Sequence, residues 1–242
     1  MTGVNEKELT VFEHLEELRF RLLVCLGALL AAAAASFAYV DRIRHILTRP
    51  AGELIYLGVS EAFAVNIKLA LVCGLLISLP VIFFQLWRFI LPGLYRHERG
   101  AVLFISLISA FFFLLGALFG FFVVLPFTIS FFLGFAGEQL APMFSYSSYV
   151  SYSLSLLLGF GLVFEMPVLV LILARLGIVS ADFLARQRKF AVVIIFILAA
   201  LFTPPDVISQ FLLGVPMLLL YELSILLARV AGRRYRDDVD NQ

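Results

Sequence analysis

Apolar positions along this chain gather into runs long enough to cross the roughly 30 Å of hydrocarbon in a bilayer. Continuous runs occupy residues 22–40, 63–87, 101–127 and 150–174, with polar stretches between them. The second begins beside Asn66 and Lys68, and the lysine stem is long enough to carry its ammonium to the interface. Two later runs are weaker. Residues 190–202 give only about 20 Å of helix before Thr203-Pro204-Pro205-Asp206, and residues 207–228 are interrupted by Glu222. Short spans thin the bilayer, snorkel or lean on longer neighbours. This pair reads as a hairpin of short helices, with a re-entrant pair that never crosses as the alternative. The pattern predicts an all-α integral membrane protein with six transmembrane helices, a single domain over residues 1–242.

Residues 1–21 have a different rhythm. Leu9, Phe12, Leu15, Leu18 and Leu22 share a helical face, while Glu13, Glu16, Glu17 and Arg21 take the others. Glu17 and Arg21 stand four apart, a spacing that brings side chains together on a helix. The segment reads as an amphipathic helix on the cytoplasmic membrane surface, or as a docking platform carrying carboxylates. It is too long and acidic for a secretory leader, so the run 22–40 is expected to be a retained first span. DRIRHILTRP, residues 41–50, reads as a short interfacial helix ended by Pro50.

Composition agrees with the pattern. The 242 residues are 62% hydrophobic and 14% charged, with a mean hydropathy of +1.04, against about 45–50% apolar and about 25% charged in soluble domains. A net charge of +1 offers no footprint for nucleic acid. The distribution of cations is more telling. Lys7, Arg19 and Arg21 precede the first span, and Arg88, Arg96 and Arg99 surround the next inner turn. Arg175, Arg186, Arg188 and Lys189 follow the fourth, and Arg229, Arg233, Arg234 and Arg236 follow the sixth. No Lys or Arg occurs in residues 100–174 or 190–228. The alternation places both termini, and the tail 229–242, in the cytoplasm. Arg42, Arg44 and Arg49 in the first outer loop run against it. Cys25 and Cys73 lie inside apolar runs and read as reduced packing residues.

Candidate chemistry is sparse. A serine protease of the membrane needs a His on a span, and His14, His45 and His97 all lie elsewhere. An aspartyl type needs two mid-span Asp residues, whereas Asp41 and Asp206 stand near helix ends. No catalytic residue, cofactor or metal is expected. Glu165, in LLLGFGLVFEMPVLVLIL, is the exception inside a span, where a carboxylate costs about 2.5 kcal/mol or more. It reads as a polar site facing water or a partner, or as a protonated acid bonded to a neighbouring helix. The turn FQLWRFILPGLYRHERG sets Glu98 alone among Arg88, Arg96, His97 and Arg99, which can neutralise it internally.

Four stretches carry a family resemblance. HLEELRFRL (14–22), PVIFFQLWRFILPGLYRHE (80–98), FEMP (164–167) and LFTPPDVISQ (201–210) occur in order and spacing. Together they resemble TatC, the multispanning receptor subunit of the twin-arginine translocase, over nearly the whole chain. The resemblance implies a cupped, glove-like bundle of six helices in a bacterial-type cytoplasmic (inner) membrane. It implies binding of twin-arginine signal peptides and transport of folded proteins on the proton-motive force. The partners implied are single-span TatA- and TatB-type subunits, the lipid bilayer and further copies of the chain.

The same resemblance assigns roles. Glu98 and then Glu17 are expected to grip the twin arginines, since carboxylates accept the paired bonds of a guanidinium fork. Leu18, Arg19, Phe89, Pro92 and Tyr95 would shape that surface. Glu165 would face the concave side, and Pro50, Pro204, Asp206 and Gln210 would belong to the outer rim. Two competing readings are a proton-coupled transporter using Glu165 and a scaffold whose groove only organises partners. One isolated glutamate and the lack of a sequence repeat argue against the transporter.

Overall fold

The computed structural model describes residues 11–52, 54–90, 99–134, 144–202 and 207–240. The described elements are helical apart from two short strands. In chain order they are α1 (Val11–Phe37), α2 (Val40–Thr48), a 3-10 turn (Arg49–Ala51), β1 (Leu54–Ile55) and α3 (Glu61–Ile90). Next come α4 (Arg99–Phe119), a π-helical turn (Gly120–Val124), α5 (Leu125–Leu133), β2 (Phe144–Ser145) and α6 (Tyr146–Phe164). The chain ends with α7 (Met166–Arg175), α8 (Ala181–Arg186), α9 (Arg188–Phe202) and α10 (Val207–Asp240).

Five stretches of helix are long and apolar enough to cross a membrane: His14–Phe37, Glu61–Ile90, Val102–Leu133, Tyr146–Arg175 and Gln210–Arg229. α9, at 15 residues, reaches about 22 Å and falls short of the length that spans unaided, whereas the last helix, expected to be short as well, is not: α10 runs 34 residues and stays helical through Glu222, which pairs with Arg188. α1 runs unbroken from the amphipathic stretch into the first apolar run. No proline interrupts it, and each backbone group in lipid needs an intrahelical partner. The third apolar run continues to Leu133 through the π turn. Pro126, just inside α5, has no N–H to give, and the wider turn before it absorbs the missing bond.

The contacts divide the chain into two units, Met1–Val40 with Ile67–Ala110, and Asp41–Asn66 with Phe111–Gln242. In the first, α1 and α3 meet where Gly74 lies against Ala33. A Cβ on Gly74 would come within 2.6 Å of the Ala33 Cα, so the helix axes approach closely only because the residue is glycine. Trp87, 2% exposed, donates its indole N–H to Ser109 Oγ at 2.9 Å and fastens α3 to α4.

In the second unit, Gly116 on α4 rests on the Phe160 carbonyl and the Phe164 side chain of α6, and Gly161 receives the Phe113 ring. α10 packs along α7 and α9. Ala174 and Ala228 are buried at the α7–α10 contact beneath Val170, Leu171, Ala181 and Leu184. Ser180 caps α8 by accepting from the Phe183 amide at 3.1 Å.

Candidate functional site

The amphipathic face of α1 closes on the last turns of α3. Arg21, 7% exposed, gives one guanidinium nitrogen to the Glu17 carboxylate and another to the Gln85 carbonyl at 3.3 Å. His14 Nδ1 stands 3.9 Å from the other Glu17 oxygen. The His14 ring stacks on Phe89, with centroids 4.4 Å apart and planes 14° from parallel. Glu17 is thus held by the Arg21 guanidinium, and about a third of its side chain still meets solvent. Leu18 and Arg19 lie on the exposed side of α1. The Trp87–Ser109 bond holds the same end of α3 from the α4 side. The segment that follows α3 carries Pro92, Tyr95 and Glu98, which lie outside the described residues.

Glu165 occupies the single residue between α6 and α7 and is 2% exposed. Its amide donates to the Leu162 carbonyl at 3.1 Å, and its own carbonyl accepts from Leu169 at 2.9 Å. Pro167 cannot donate, so the two helices remain distinct at this point. The sequence places a carboxylate mid-span, and the structure adds that it stands at a break in the helix. Phe119 packs on both Phe160 and Phe164, one turn apart on the α6 segment leading to it.

The expected rim residues divide. Pro50 lies in the 3-10 turn after α2, which α6 secures through a bond from Tyr149 Oη to the Leu47 carbonyl at 2.9 Å. Gln210 donates through Nε2 to the Phe196 carbonyl at 2.8 Å, joining α10 to α9. Pro204 and Asp206 lie outside the described residues. Among the described residues no three His, Cys, Asp or Glu side chains gather where they could hold a metal ion.

Sequence reasoning missed one organising carboxylate. Glu61, at the start of α3, accepts from the amides of Leu57 (2.6 Å), Gly58 (3.1 Å) and Ser147 (2.7 Å), and from Ser145 Oγ (3.2 Å). It ties the loop before α3 to the start of α6, beside the parallel pairing of Leu54 with Phe144 and Ile55 with Ser145. Two-residue strands have no periodicity to read. The available signal was the acidic residue at a helix start.

The family model described as Sec-independent protein translocase protein (TatC) matches residues 13–216. The chain belongs to the TatC family. TatC of Desulforapulum autotrophicum is 41% identical over 241 residues, covering 96% of this chain and 89% of that protein. TatC of Carboxydothermus hydrogenoformans is 40% identical over 231 residues, covering 93% and 95%. A crystal structure of the twin-arginine translocase receptor TatC superposes with a TM-score of 0.81 at 40% identity, covering 90% of this chain and 99% of that one. As a TatC family member the chain is a membrane component of the Sec-independent protein translocase, alongside other components of that system.

Proposed function

We propose that this TatC family member is the receptor for twin-arginine signal peptides, with Glu98 as the main partner of the arginines and Glu17 as the second. The observation that carries this reading is the held geometry of Glu17. Its carboxylate is oriented by Arg21, which also bonds the Gln85 carbonyl near the end of α3, a few residues before the segment that contains Glu98. A pre-oriented carboxylate loses little freedom when it accepts a guanidinium fork. Leu18, Arg19, Phe89, Pro92 and Tyr95 form the surrounding surface, and Arg19 orients carboxylates rather than touching another arginine.

In this reading α9 is the fifth of six crossings and both termini face the cytoplasm of a bacterial-type inner membrane. The distribution of Lys and Arg between the runs supports the orientation, and the fold shared with the solved TatC receptor supports a six-helix bundle. Glu165 then serves partner assembly or transport on the concave side, with Pro50, Pro204, Asp206 and Gln210 along the outer rim. TatA- and TatB-type subunits complete the translocase, further copies of the chain associate with it, and the proton-motive force drives passage of folded cargo.

The test is titration of a twin-arginine peptide against Glu98→Ala, Glu17→Ala and the double variant. Loss of charge-assisted bonds is expected to weaken binding about tenfold or more, most in the double variant. Unchanged affinity in the double variant overturns the assignment.

A further inference from the structure

Glu17 has two carboxylate oxygens, and they stand in different company. Oε1 accepts from the Arg21 guanidinium, which is also committed to the Gln85 carbonyl at 3.3 Å. Oε2 is the oxygen left for an incoming guanidinium, and His14 Nδ1 faces it at 3.9 Å. That separation is too long for a hydrogen bond, yet close enough for an ion pair once the imidazole carries charge. Stacking fixes the place of the ring, with its centroid 4.4 Å from that of Phe89 on α3 and the planes 14° from parallel. The His14 side chain is still 44% exposed, so it exchanges protons with solvent. Among the described residues the charged groups facing it from α1 are Glu17 and, behind it, Arg21. α3 brings the Phe89 ring and the Gln85 carbonyl, with Arg88 exposed one residue before Phe89.

We propose that His14 competes with the signal peptide for Glu17 and makes capture of the peptide depend on pH. Neutral, the imidazole leaves Oε2 open to a guanidinium of the peptide. Protonated, it pairs with Oε2 and sets a like charge against the incoming arginine. Imidazole ordinarily gains its charge as pH falls from about 8 to about 5, so peptide affinity falls in the same direction. Linkage makes the effect reciprocal, and binding to the protonated form expels a proton. Arg21 does not act in this way, because a guanidinium keeps its charge throughout that range. In the proposed orientation the site loads at neutral cytoplasmic pH and empties on acidification. This role rests on the reading of Glu17 as a partner of the twin arginines.

The experiment titrates a twin-arginine peptide against the full chain in detergent from about pH 8 to about pH 5.5, where imidazole changes charge and free carboxylates stay ionised. Affinity is expected to fall about fivefold or more across that range. His14→Phe keeps a ring against Phe89 without a proton to gain, and its profile is expected to be flat. His97→Gln removes the imidazole next to Glu98 in sequence and is expected to keep the parent's slope. Calorimetry of the parent near about pH 6, in buffers of different ionisation enthalpy, is expected to show proton release on binding and needs no substitution. A parent affinity that does not change with pH overturns the proposal. So does a slope retained in His14→Phe, a slope lost in His97→Gln, or proton uptake on binding. The Glu98→Ala, Glu17→Ala double variant at about pH 8 separates the two levels. Weakened binding there with a flat parent profile removes the role of His14 and leaves the receptor reading standing, whereas unchanged affinity there removes both.

Discussion

Arg21 on α1 donates to the backbone carbonyl of Gln85 on α3 at 3.3 Å, while the same guanidinium holds Glu17 one turn earlier. One planar fork serves a side chain on its own helix and a carbonyl on another, which a lysine ammonium on a flexible stem does not reproduce. Arg21→Ala is expected to cost about 1.5–3 kcal/mol, and Arg21→Lys to recover less than half of that. Denaturant titration in micelles measures both. In a cycle with Glu17→Ala the two losses are expected to be non-additive by about 0.5 kcal/mol or more. Strict additivity would show that the pair is not coupled.

The two glycines between α4 and α6 should differ in tolerance. A Cβ at Gly116 meets the Phe160 carbonyl, which belongs to the backbone, whereas a Cβ at Gly161 meets the Phe113 ring, which can rotate. Gly116→Ala is therefore expected to cost about 1–3 kcal/mol and Gly161→Ala less. Unfolding midpoints of the two variants in one detergent decide the order.

Trp87 is the single tryptophan of the chain, is 2% exposed, and bonds to Ser109 at 2.9 Å. Its fluorescence is expected to be blue-shifted in the folded protein and to move red when α3 parts from α4. Ser109→Ala leaves the indole N–H unsatisfied and should cost about 1–3 kcal/mol. Ser109→Thr, which keeps a hydroxyl, should retain more of the bond. An emission maximum already at the solvent value in the native state would contradict this placement.

Glu61 gathers three backbone amides from two segments. Glu61→Ala removes their shared acceptor, and hydrogen exchange at Leu57, Gly58 and Ser147 is expected to accelerate about tenfold. Glu61→Gln keeps one carbonyl acceptor and should fall between. Unchanged exchange at Ser147 would mean that this carboxylate does not secure the start of α6.

Glu165→Ala is expected to lower export of folded cargo in membranes while leaving twin-arginine peptide affinity within about twofold, since the α1–α3 bonds that hold Glu17 do not involve it. Normal export by the variant removes Glu165 from transport. Pro167→Ala restores an amide donor to the Val163 carbonyl. It should make α6 and α7 continuous, seen as slower hydrogen exchange across Val163–Val168.

Much of this architecture was legible because lipid imposes one strong rule. Backbone groups in hydrocarbon must be paired within their own segment, so long apolar runs become helices and their lengths can be counted. The Glu17–Arg21 pair was legible for a similar reason, since i,i+4 spacing on one helix is local geometry. Glu165 was legible as a costly residue because its cost depends on the apolar run around it.

Other features needed the third dimension. Arg21 reaching Gln85, Trp87 reaching Ser109 and Glu61 reaching Ser147 join residues whose separation in sequence carries no periodic signal. The sequence by itself determined the helical membrane class, the apolar segments and the family, because hydropathy and motif order are properties of the chain. The tertiary structure alone decided which carbonyl receives Arg21, which glycines permit close helix contact, and that Glu61 ties the loop before α3 to the start of α6. Those outcomes depend on how side chains from distant segments fit and satisfy one another's polar groups.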